Sequence, residues 1–310
     1  MKYKTTIIGA GNVGASIAQL VAFHGISDCI LLDIEENMAK GKALDIAEAC
    51  PVWNSASLVS GTSDYSTIKG SNIVIITAGI ARKPGMSRDD LLNVNADIVG
   101  NAAKNIAKFC PEAIIIVVTN PMDVMAQLAY SITGFNSKRI MGMGGILDSS
   151  RFKTFIAMEL KVSPSVVNTM VLGGHGDQML PLPRYTTVGG IPLTELISKE
   201  RIDQLIQRTA TGGAEIVKLL EKGSAFYAPA ASTFQMIKAI IFDEKLLVPA
   251  SCYLDGEYGF KGVYSGVPVI IGAGGAEKII EIKLNEDEKK GFANSVDSVK
   301  ESVAKLGIIK

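Results

Sequence analysis

The sequence predicts an α/β protein in which a doubly wound parallel sheet is followed by an α+β domain. The chain has 310 residues, which is enough for about two domains. Its first half alternates short apolar segments with segments of helical periodicity, as repeated βα units do. Its second half combines long segments of helical periodicity with short segments in which apolar and polar residues alternate. We place the boundary at Met143, within a glycine cluster, so that the predicted domains span residues 1–143 and 144–310.

Strands and helices alternate in the first predicted domain. The predicted strands are Tyr3–Ile8, Cys29–Leu32, Leu58–Ser60, Ile73–Thr77, Ala113–Thr119 and Arg139–Met141. The predicted helices are Asn12–Phe23, Met38–Cys50, Arg88–Phe109 and Met122–Ser131. Val13, Ile17 and Leu20 share one face of the first helix. The uninterrupted apolar runs in the fourth and fifth strands are typical of strands buried on both faces of a parallel sheet.

The second predicted domain has a less regular pattern. Its predicted helices are Ser149–Leu160, Arg201–Leu220, Ala230–Phe242 and Asp287–Ala304. Its predicted strands are Val166–Leu172, Arg184–Val188, Lys245–Leu254 and Val267–Ile271. The first two of these strands alternate in polarity, which favours antiparallel pairing.

Composition excludes several classes of function. Lys and Arg number 31, as do Asp and Glu, so the net charge is zero and we expect no nucleic-acid partner. No apolar run approaches the roughly 18 residues of a membrane span, so we expect no membrane partner. The four cysteines lack CxxC spacing and have apolar neighbours, which predicts reduced thiols in a cytoplasmic protein. Two histidines are too few for a histidine-rich metal site, and we expect no metal.

A glycine-rich turn follows the first predicted strand and precedes the first helix. It fits the pattern G-x-G-x-x-G, in which glycines allow a tight turn and a close approach of pyrophosphate to the helix N-terminus. This setting predicts a Rossmann-type domain. The residues expected to bind the dinucleotide are Gly9, Gly11, Asn12, Val13 and Gly14. The alternative is a tight βα turn without a ligand.

Asp33 lies 19 residues after Gly14, at the end of the next predicted strand. A carboxylate there accepts hydrogen bonds from ribose hydroxyls and would repel a 2′-phosphate. The cofactor is therefore predicted to be NAD rather than NADP. The alternative is that Asp33 forms hydrogen bonds only with neighbouring groups of the protein and binds no ligand.

Polar residues also follow two other predicted strands, at Thr77 to Gly79 and Thr119 to Pro121. Ligands of open α/β sheets bind outside the carboxyl ends of the strands, so one ligand could contact both places. Pro121 keeps Asn120 extended, and we expect Thr119 and Asn120 to contact the cofactor. Turn formation alone would account for Gly79.

The segment after the fourth predicted strand is the most unusual, because it carries Arg82, Lys83 and Arg88 around a Pro-Gly pair. A basic loop over the carboxyl edge of a nucleotide-binding sheet is typical of a lid for an anionic substrate. A solvated surface loop is the alternative. Ser87 and Asp90 resemble a capping box that begins the next helix.

Asp148 and Arg151 lie three residues apart near the start of a predicted helix and share one face. Asp148 is either an N-cap or a partner of a functional group. The guanidinium of Arg151 suits bidentate binding of a substrate carboxylate. His175 follows an apolar strand between small residues and is suited to proton transfer near neutral pH. Asp148 is the candidate partner that would stabilise its imidazolium, and Asp177 is the local alternative.

Six motifs in this order resemble the lactate/malate dehydrogenase superfamily, and within it the malate dehydrogenases of the lactate-dehydrogenase-like group. They are GAGNVG, Asp33, ARKPGMSR, VTNP, LDSSRF and LGGHGD. The later segments GSAFYAPA and GVPVIIG also fit, so the resemblance covers nearly the whole chain.

The resemblance implies a role for each matching residue. His175 would be the acid/base and Asp148 its partner. Arg151 would bind the substrate carboxylate, Arg88 would polarise the reacting carbonyl, and Arg82 would bind the other end of the substrate. The resemblance also implies positions near substrate or cofactor for Asn95, Asn120 and Ser232, with Thr233 as the alternative to Ser232.

The implied reaction is reversible hydride transfer between (S)-malate and NAD, giving oxaloacetate and NADH, as in the tricarboxylic acid cycle. Charge matching favours malate over lactate, because pyruvate would leave Arg82 buried and unpaired at a cost of about 3–5 kcal/mol. That cost corresponds to about two to four decades of discrimination. The alternatives are a lactate or broad 2-hydroxy acid dehydrogenase and a non-catalytic NAD-binding sensor. Since the family forms dimers and tetramers, a homodimer or homotetramer is expected.

Overall fold

The computed structural model describes residues 3–80 and 87–307, with Arg88 described by its backbone alone. In the first half, the elements are β1 (Lys4–Ile8), α1 (Asn12–Phe23), β2 (Asp28–Leu32), α2 (Glu36–Ala49), β3 (Val59–Thr62), β4 (Ile73–Ile76), α3 (Arg88–Phe109), β5 (Ile114–Val117), α4 (Met122–Thr133) and β6 (Ile140–Gly142). In the second half, they are α5 (Gly144–Leu160), β7 (Val167–Asn168), β8 (Val171–Gly173), β9 (Met179–Pro181), β10 (Thr187–Val188), β11 (Ile191–Pro192), α6 (Leu193–Leu196), α7 (Lys199–Leu220), α8 (Tyr227–Ile241), β12 (Leu246–Asp255), β13 (Lys261–Gly272), β14 (Gly275–Ile279) and α9 (Glu286–Lys305).

The first six strands form a parallel sheet in the order β3-β2-β1-β4-β5-β6. From β1 the chain adds β2 and β3 on one side and then β4, β5 and β6 on the other. The carboxyl ends of β1 and β4, where this strand order reverses, flank the crevice in which ligands of such sheets bind. Every residue of β4 and β5 is buried, as their uninterrupted apolar sequences predict. The predicted doubly wound parallel sheet is confirmed.

The same sheet continues into the second half of the chain. Strand β12 pairs antiparallel with β6, where Ser251 lies opposite Gly142. Strands β13, β8 and β9 follow in that order, with β14 also paired to β13. This continuity brings the loop after β8 close to the carboxyl edge of the parallel strands.

Helix α5 begins at Gly144, five residues earlier than the sequence predicts. Asp148 therefore lies in the second turn of the helix, and the alternative that it is an N-cap is wrong. The early start depends on close packing, because a Cβ at Gly144 would lie 2.7 Å from Cβ of His175. The sequence predicts a domain boundary at the glycine cluster that includes Gly144. In the structure, the lack of a side chain at Gly144 lets the start of α5 approach the loop of His175.

The predicted strands of the second half were partly wrong. Val166–Leu172 divides into two short strands, and Arg184 lies in a 3₁₀ turn that begins at Pro183. Strands β9 and β14 were not predicted, because such short segments carry little periodicity. The capping box at the start of α3 is confirmed, with Ser87 and Asp90 bonded reciprocally at 3.0 Å.

Buried apolar side chains form one large cluster around the sheet and a smaller one where α5 packs against α7. The smaller cluster includes Phe152, Ile156, Ile202 and Leu205. It packs α5 against α7, and α5 carries Asp148 and Arg151. Among the helices of residues 3–80 and 87–307, none combines the length and apolar character needed to cross a membrane.

Candidate active site and cofactor crevice

The glycine turn connects β1 to α1 at the crevice. Gly9 has a φ of +106°, and a Cβ there would lie 2.6 Å from the backbone nitrogen of Ala78 on the neighbouring strand end. The N-cap of α1 is Gly11, and no described side chain caps this end. The first amide groups of α1 are therefore oriented for an anionic ligand at the positive end of the helix dipole.

Asp33 lies at the end of β2, beside this turn. Its Oδ2 accepts the N–H of Ala10 at 2.6 Å, and its Oδ1 accepts the N–H of Glu35 at 3.0 Å. Each carboxylate oxygen can accept a second hydrogen bond, so these contacts leave capacity for ribose hydroxyls. Lys42 of α2, which sequence reasoning missed, donates to the carbonyl of Ala10 at 2.8 Å and braces the same turn.

Thr119, which follows β5, and Asn95, which lies on α3, connect the strand ends at the crevice. Thr119 Oγ1 donates to the carbonyl of Ala78 at 2.7 Å. Asn95 is fully buried; its Oδ1 accepts the N–H of Ile80 at 2.8 Å and its Nδ2 donates to the carbonyl of Asn120 at 2.7 Å. These bonds join the loops that follow the two strands. That Thr119, Asn95 and the exposed Asn120 contact the cofactor stays a prediction.

His175 and Asp148 meet at the edge of this crevice. Nδ1 of His175 lies 2.8 Å from Oδ2 of Asp148, and the Asp148 side chain is 2% exposed. Of the two predicted partners of the ring, the geometry selects Asp148. Burial by itself would lower the pKa of His175, but the charge and hydrogen bond of Asp148 outweigh it and raise that pKa above its ordinary value of 6.5.

Arg151 faces the same carboxylate from one turn further along α5. Its Nη1 lies 3.5 Å from Oδ1 of Asp148, a charge contact without hydrogen-bond geometry. Burial lowers the pKa of Arg151, and the Asp148 charge opposes that shift. In the described part of the chain, Arg151 Nε and Asp148 Oδ1 are buried without a hydrogen-bond partner. A guanidinium with a buried unbonded donor suits an anionic ligand.

Two predicted substrate-binding side chains cannot be placed. Arg82 lies outside the described residues, and Arg88 is described only as the first residue of α3. Ser232 lies on a groove of about 740 Å³ together with Ser149 and Tyr227, whereas the hydroxyl of Thr233 donates to the carbonyl of Pro229. The groove does not include Asp148, Arg151 or His175.

Two residues that the sequence did not indicate, Asp123 and Ser251, lie next to His175. The backbone N–H of His175 donates to Oδ2 of Asp123 at 2.8 Å, and the Ser251 hydroxyl donates to Oδ1 at 2.6 Å. A signal was available for Asp123, since a lone carboxyl group in the apolar helix sequence MDVMAQLA needs buried partners. No signal in the sequence connects Ser251 to it, since they are 128 residues apart.

Residues 3–142 match the family described as lactate/malate dehydrogenase, NAD binding domain, and residues 146–307 match lactate/malate dehydrogenase, alpha/beta C-terminal domain. The chain is 51% identical over 305 residues to the malate dehydrogenase of Rhodopirellula baltica, covering 98% of this chain and 97% of that one. It is 52% identical over 297 residues to the malate dehydrogenase of Desulforudis audaxviator, covering 96% of each.

The chain is also similar to solved structures of malate and lactate dehydrogenases. The malate dehydrogenase of Picrophilus torridus in its apo form has a TM-score of 0.96 and 45% identity, covering 99% of this chain and 98% of that one. The lactate dehydrogenase of Cryptosporidium parvum, complexed with lactic acid and nicotinamide adenine dinucleotide, has a TM-score of 0.96 and 40% identity, covering 100% and 99%. With the uncapped helix and the acidic strand end, these likenesses define an NAD-dependent oxidoreductase. More particularly, the chain belongs to the lactate/malate dehydrogenase family.

Proposed function

We propose that this protein catalyses the reversible reaction of (S)-malate with NAD to give oxaloacetate and NADH. The observation that carries the proposal is the buried cluster of His175, Asp148 and Arg151 at the edge of the crevice. It combines an acid/base, a charge that supports it and a cation for a substrate carboxylate. A protein that only sensed NAD would need no such acid/base.

The first domain, residues 1–143, would hold NAD. The uncapped start of α1 would bind the pyrophosphate, and Asp33 would accept the ribose hydroxyls. Thr119, Asn95 and Asn120 would border the nicotinamide end of the crevice. When bound, NADH supplies the hydride that reduces the C2 carbonyl of the substrate.

His175 would donate the proton in the reducing direction. Its Nδ1 faces Asp148, so Nε2 is the ring nitrogen that would face the substrate oxygen. Because Asp148 raises the pKa of His175, the ring is charged over more of the neutral pH range and is ready to protonate the developing alkoxide. In malate oxidation the neutral ring accepts the same proton.

The arginines would divide the charges of the substrate. Arg151 would bind the carboxylate next to the reacting carbon, and Arg88 would stabilise the developing alkoxide. Arg82 would pair with the second carboxylate of oxaloacetate, which pyruvate lacks. The likeness to a lactate dehydrogenase structure makes lactate oxidation the second candidate. Charge matching at Arg82 favours malate.

The substrate test is NADH consumption, followed by absorbance, with oxaloacetate and with pyruvate side by side, repeated with NADPH. We expect a strong preference for oxaloacetate with NADH. His175→Asn should abolish turnover while NADH still binds. His24→Asn is the matched control, since His24 is the chain's other histidine and stacks on Phe234 away from the cluster. A preference for pyruvate would establish the second candidate instead.

We further propose that the protein is a homodimer or homotetramer acting in the tricarboxylic acid cycle in the cytoplasm. The groove beside α8 supports assembly, because Tyr227 is 76% exposed and Leu247 is 51% exposed along it. A second copy of the chain would cover these apolar side chains. Light scattering measures the mass directly, and a monomeric mass at assay concentration would contradict the assembly.

A further inference from the structure

The ammonium group of Lys42 lies at the glycine turn, although Lys42 belongs to α2 and not to the turn. Its side chain is half-buried and borders a groove of about 330 Å³ together with Asn12 and Ser16 of α1. Its Nζ donates to the carbonyl of Ala10 at 2.8 Å. Ordering a long lysine side chain costs more conformational entropy than one hydrogen bond to a neutral carbonyl returns. Stability alone is therefore a weak reason for this contact.

The peptide group between Ala10 and Gly11 connects Lys42 to the start of α1. This peptide group is trans, so its carbonyl and its N–H point in opposite directions. Because Lys42 holds the carbonyl of Ala10, it also fixes the direction of the N–H of Gly11. Gly11 is the N-cap of α1, and none of the described residues accepts its N–H. This N–H is therefore one of the free donors at the positive end of the helix.

The preceding peptide group, between Gly9 and Ala10, is bonded on both sides. Its carbonyl accepts the hydroxyl of Thr77 at 2.9 Å, and its N–H donates to Oδ2 of Asp33 at 2.6 Å. Of the polar groups of these two consecutive peptides, the N–H of Gly11 is thus the one that the described residues leave for a ligand. The protein fixes the other groups, and with them the direction in which this donor points.

We propose that Lys42 is a further positioning residue for the cofactor, which orients the N–H of Gly11 and strengthens it as a donor to the pyrophosphate. A cation on the carbonyl of a peptide group polarises that group, so its N–H becomes a stronger donor. The ammonium charge also adds to the positive end of α1. The inference rests on the proposed position of the pyrophosphate at α1, and it does not depend on which 2-oxo acid is the substrate.

Three variants separate the charge of Lys42 from its packing. Lys42→Met keeps the length of the side chain and removes the charge and the donors. Lys42→Arg keeps both. Lys40→Met is the matched control, because Lys40 lies on the same helix but pairs with Glu36 at 2.8 Å and is 57% exposed.

The first readout is ligand affinity measured by calorimetry, with ADP-ribose and with adenosine. ADP-ribose carries the pyrophosphate, whereas adenosine carries only the ribose hydroxyls that Asp33 would bind. We expect Lys42→Met to weaken ADP-ribose binding about tenfold, because charge-assisted hydrogen bonds are about twice as strong as neutral ones. Adenosine affinity should stay unchanged. Lys42→Arg should restore most of the ADP-ribose affinity, and Lys40→Met should match the unsubstituted protein.

The second readout is the division of the effect between KM and kcat with NADH. The pyrophosphate takes no part in the hydride transfer, so the interaction is equally strong in the ground state and the transition state. Its loss should raise KM for NADH about tenfold and change kcat by less than about twofold.

An ADP-ribose affinity of Lys42→Met equal to that of Lys40→Met would overturn the inference. An equal loss of adenosine affinity would overturn it as well, because the turn itself would then have lost its structure. If Lys42→Met does not fold, Lys42→Gln, whose amide donates without a charge, replaces it with the same expected and contrary results. Equal affinity of the unsubstituted protein for the two ligands would contradict the proposed position of the pyrophosphate, and the inference would fall with it.

Discussion

Replacing Asp148 by asparagine tests the proton-transfer cluster most directly. The change keeps the size of the side chain and removes the negative charge 2.8 Å from Nδ1 of His175. Because the Asp148 side chain is 2% exposed, water cannot take the place of that charge. Leaving a buried charge without its partner costs about 3–5 kcal/mol. At about 1.4 kcal/mol per decade, kcat/KM for oxaloacetate should fall roughly 10²- to 10⁴-fold.

At a given pH, Asp148→Asn should lower kcat/KM by the same factor for oxaloacetate reduction and for malate oxidation. The equilibrium constant belongs to the substrates, so kcat/KM for malate oxidation must fall by the same factor if cofactor binding is unchanged. The pH dependence should also change. Without Asp148, only the Asp123 charge opposes the effect of burial, and the pKa of His175 falls. The falling limb of the reduction profile should therefore move to lower pH.

The assay is NADH absorbance with oxaloacetate from about pH 5 to about pH 9, with NADH affinity measured separately by fluorescence. Asp297→Asn is the control, because Asp297 is an exposed aspartate on α9. A kcat/KM within about threefold of the unsubstituted protein would refute the reasoning, because even one charged hydrogen bond is worth more than that. A loss explained wholly by weaker NADH binding would refute it as well.

Asp33→Ala should raise KM for NADH about 10- to 100-fold, because hydrogen bonds to a charged group are worth about 1.5–3 kcal/mol. It should also reduce the preference for NADH over NADPH. Initial rates with both cofactors measure this preference, and an unchanged preference would contradict the contact of Asp33 with the ribose. Arg82→Gln should weaken oxaloacetate use and improve pyruvate use, and equal selectivity before and after would remove Arg82 as the specificity residue. The raised pKa of His175 means that the folded state binds this proton more tightly than the unfolded chain. The resulting stability is fully present below about pH 6.5 and is lost as pH rises through the folded-state pKa, so urea unfolding should show the largest difference from His175→Asn at low pH. A difference that grows with pH would contradict the sign.

The parallel half of the fold could be predicted from the sequence. The predicted bounds of α1 and α3 agree with the structure, and the apolar runs around Ile73 and Ile114 are the buried strands β4 and β5. Local patterns suffice there because each element buries a regular face or is buried on both faces. In the second half, the strands around Val167 and Thr187 have two residues each, which is too short for periodicity to show.

The chemistry of single residues was also readable from the sequence. The turn at Gly9, the acidic Asp33 and the histidine between glycines indicate a dinucleotide and a proton transfer through local spacing and residue type alone.

Only the tertiary structure decided which residues meet. It selected Asp148 over Asp177 as the ring's partner, because α5 begins at Gly144 and packs its second turn against the His175 loop. It also brought Asp123 and Ser251 to the backbone of His175, since β12 pairs with β6 and α4 starts beside the same edge. These contacts join residues 27, 52 and 128 positions apart. No local pattern specifies such pairs, because they result from strand order and from the burial of charged groups that must find partners.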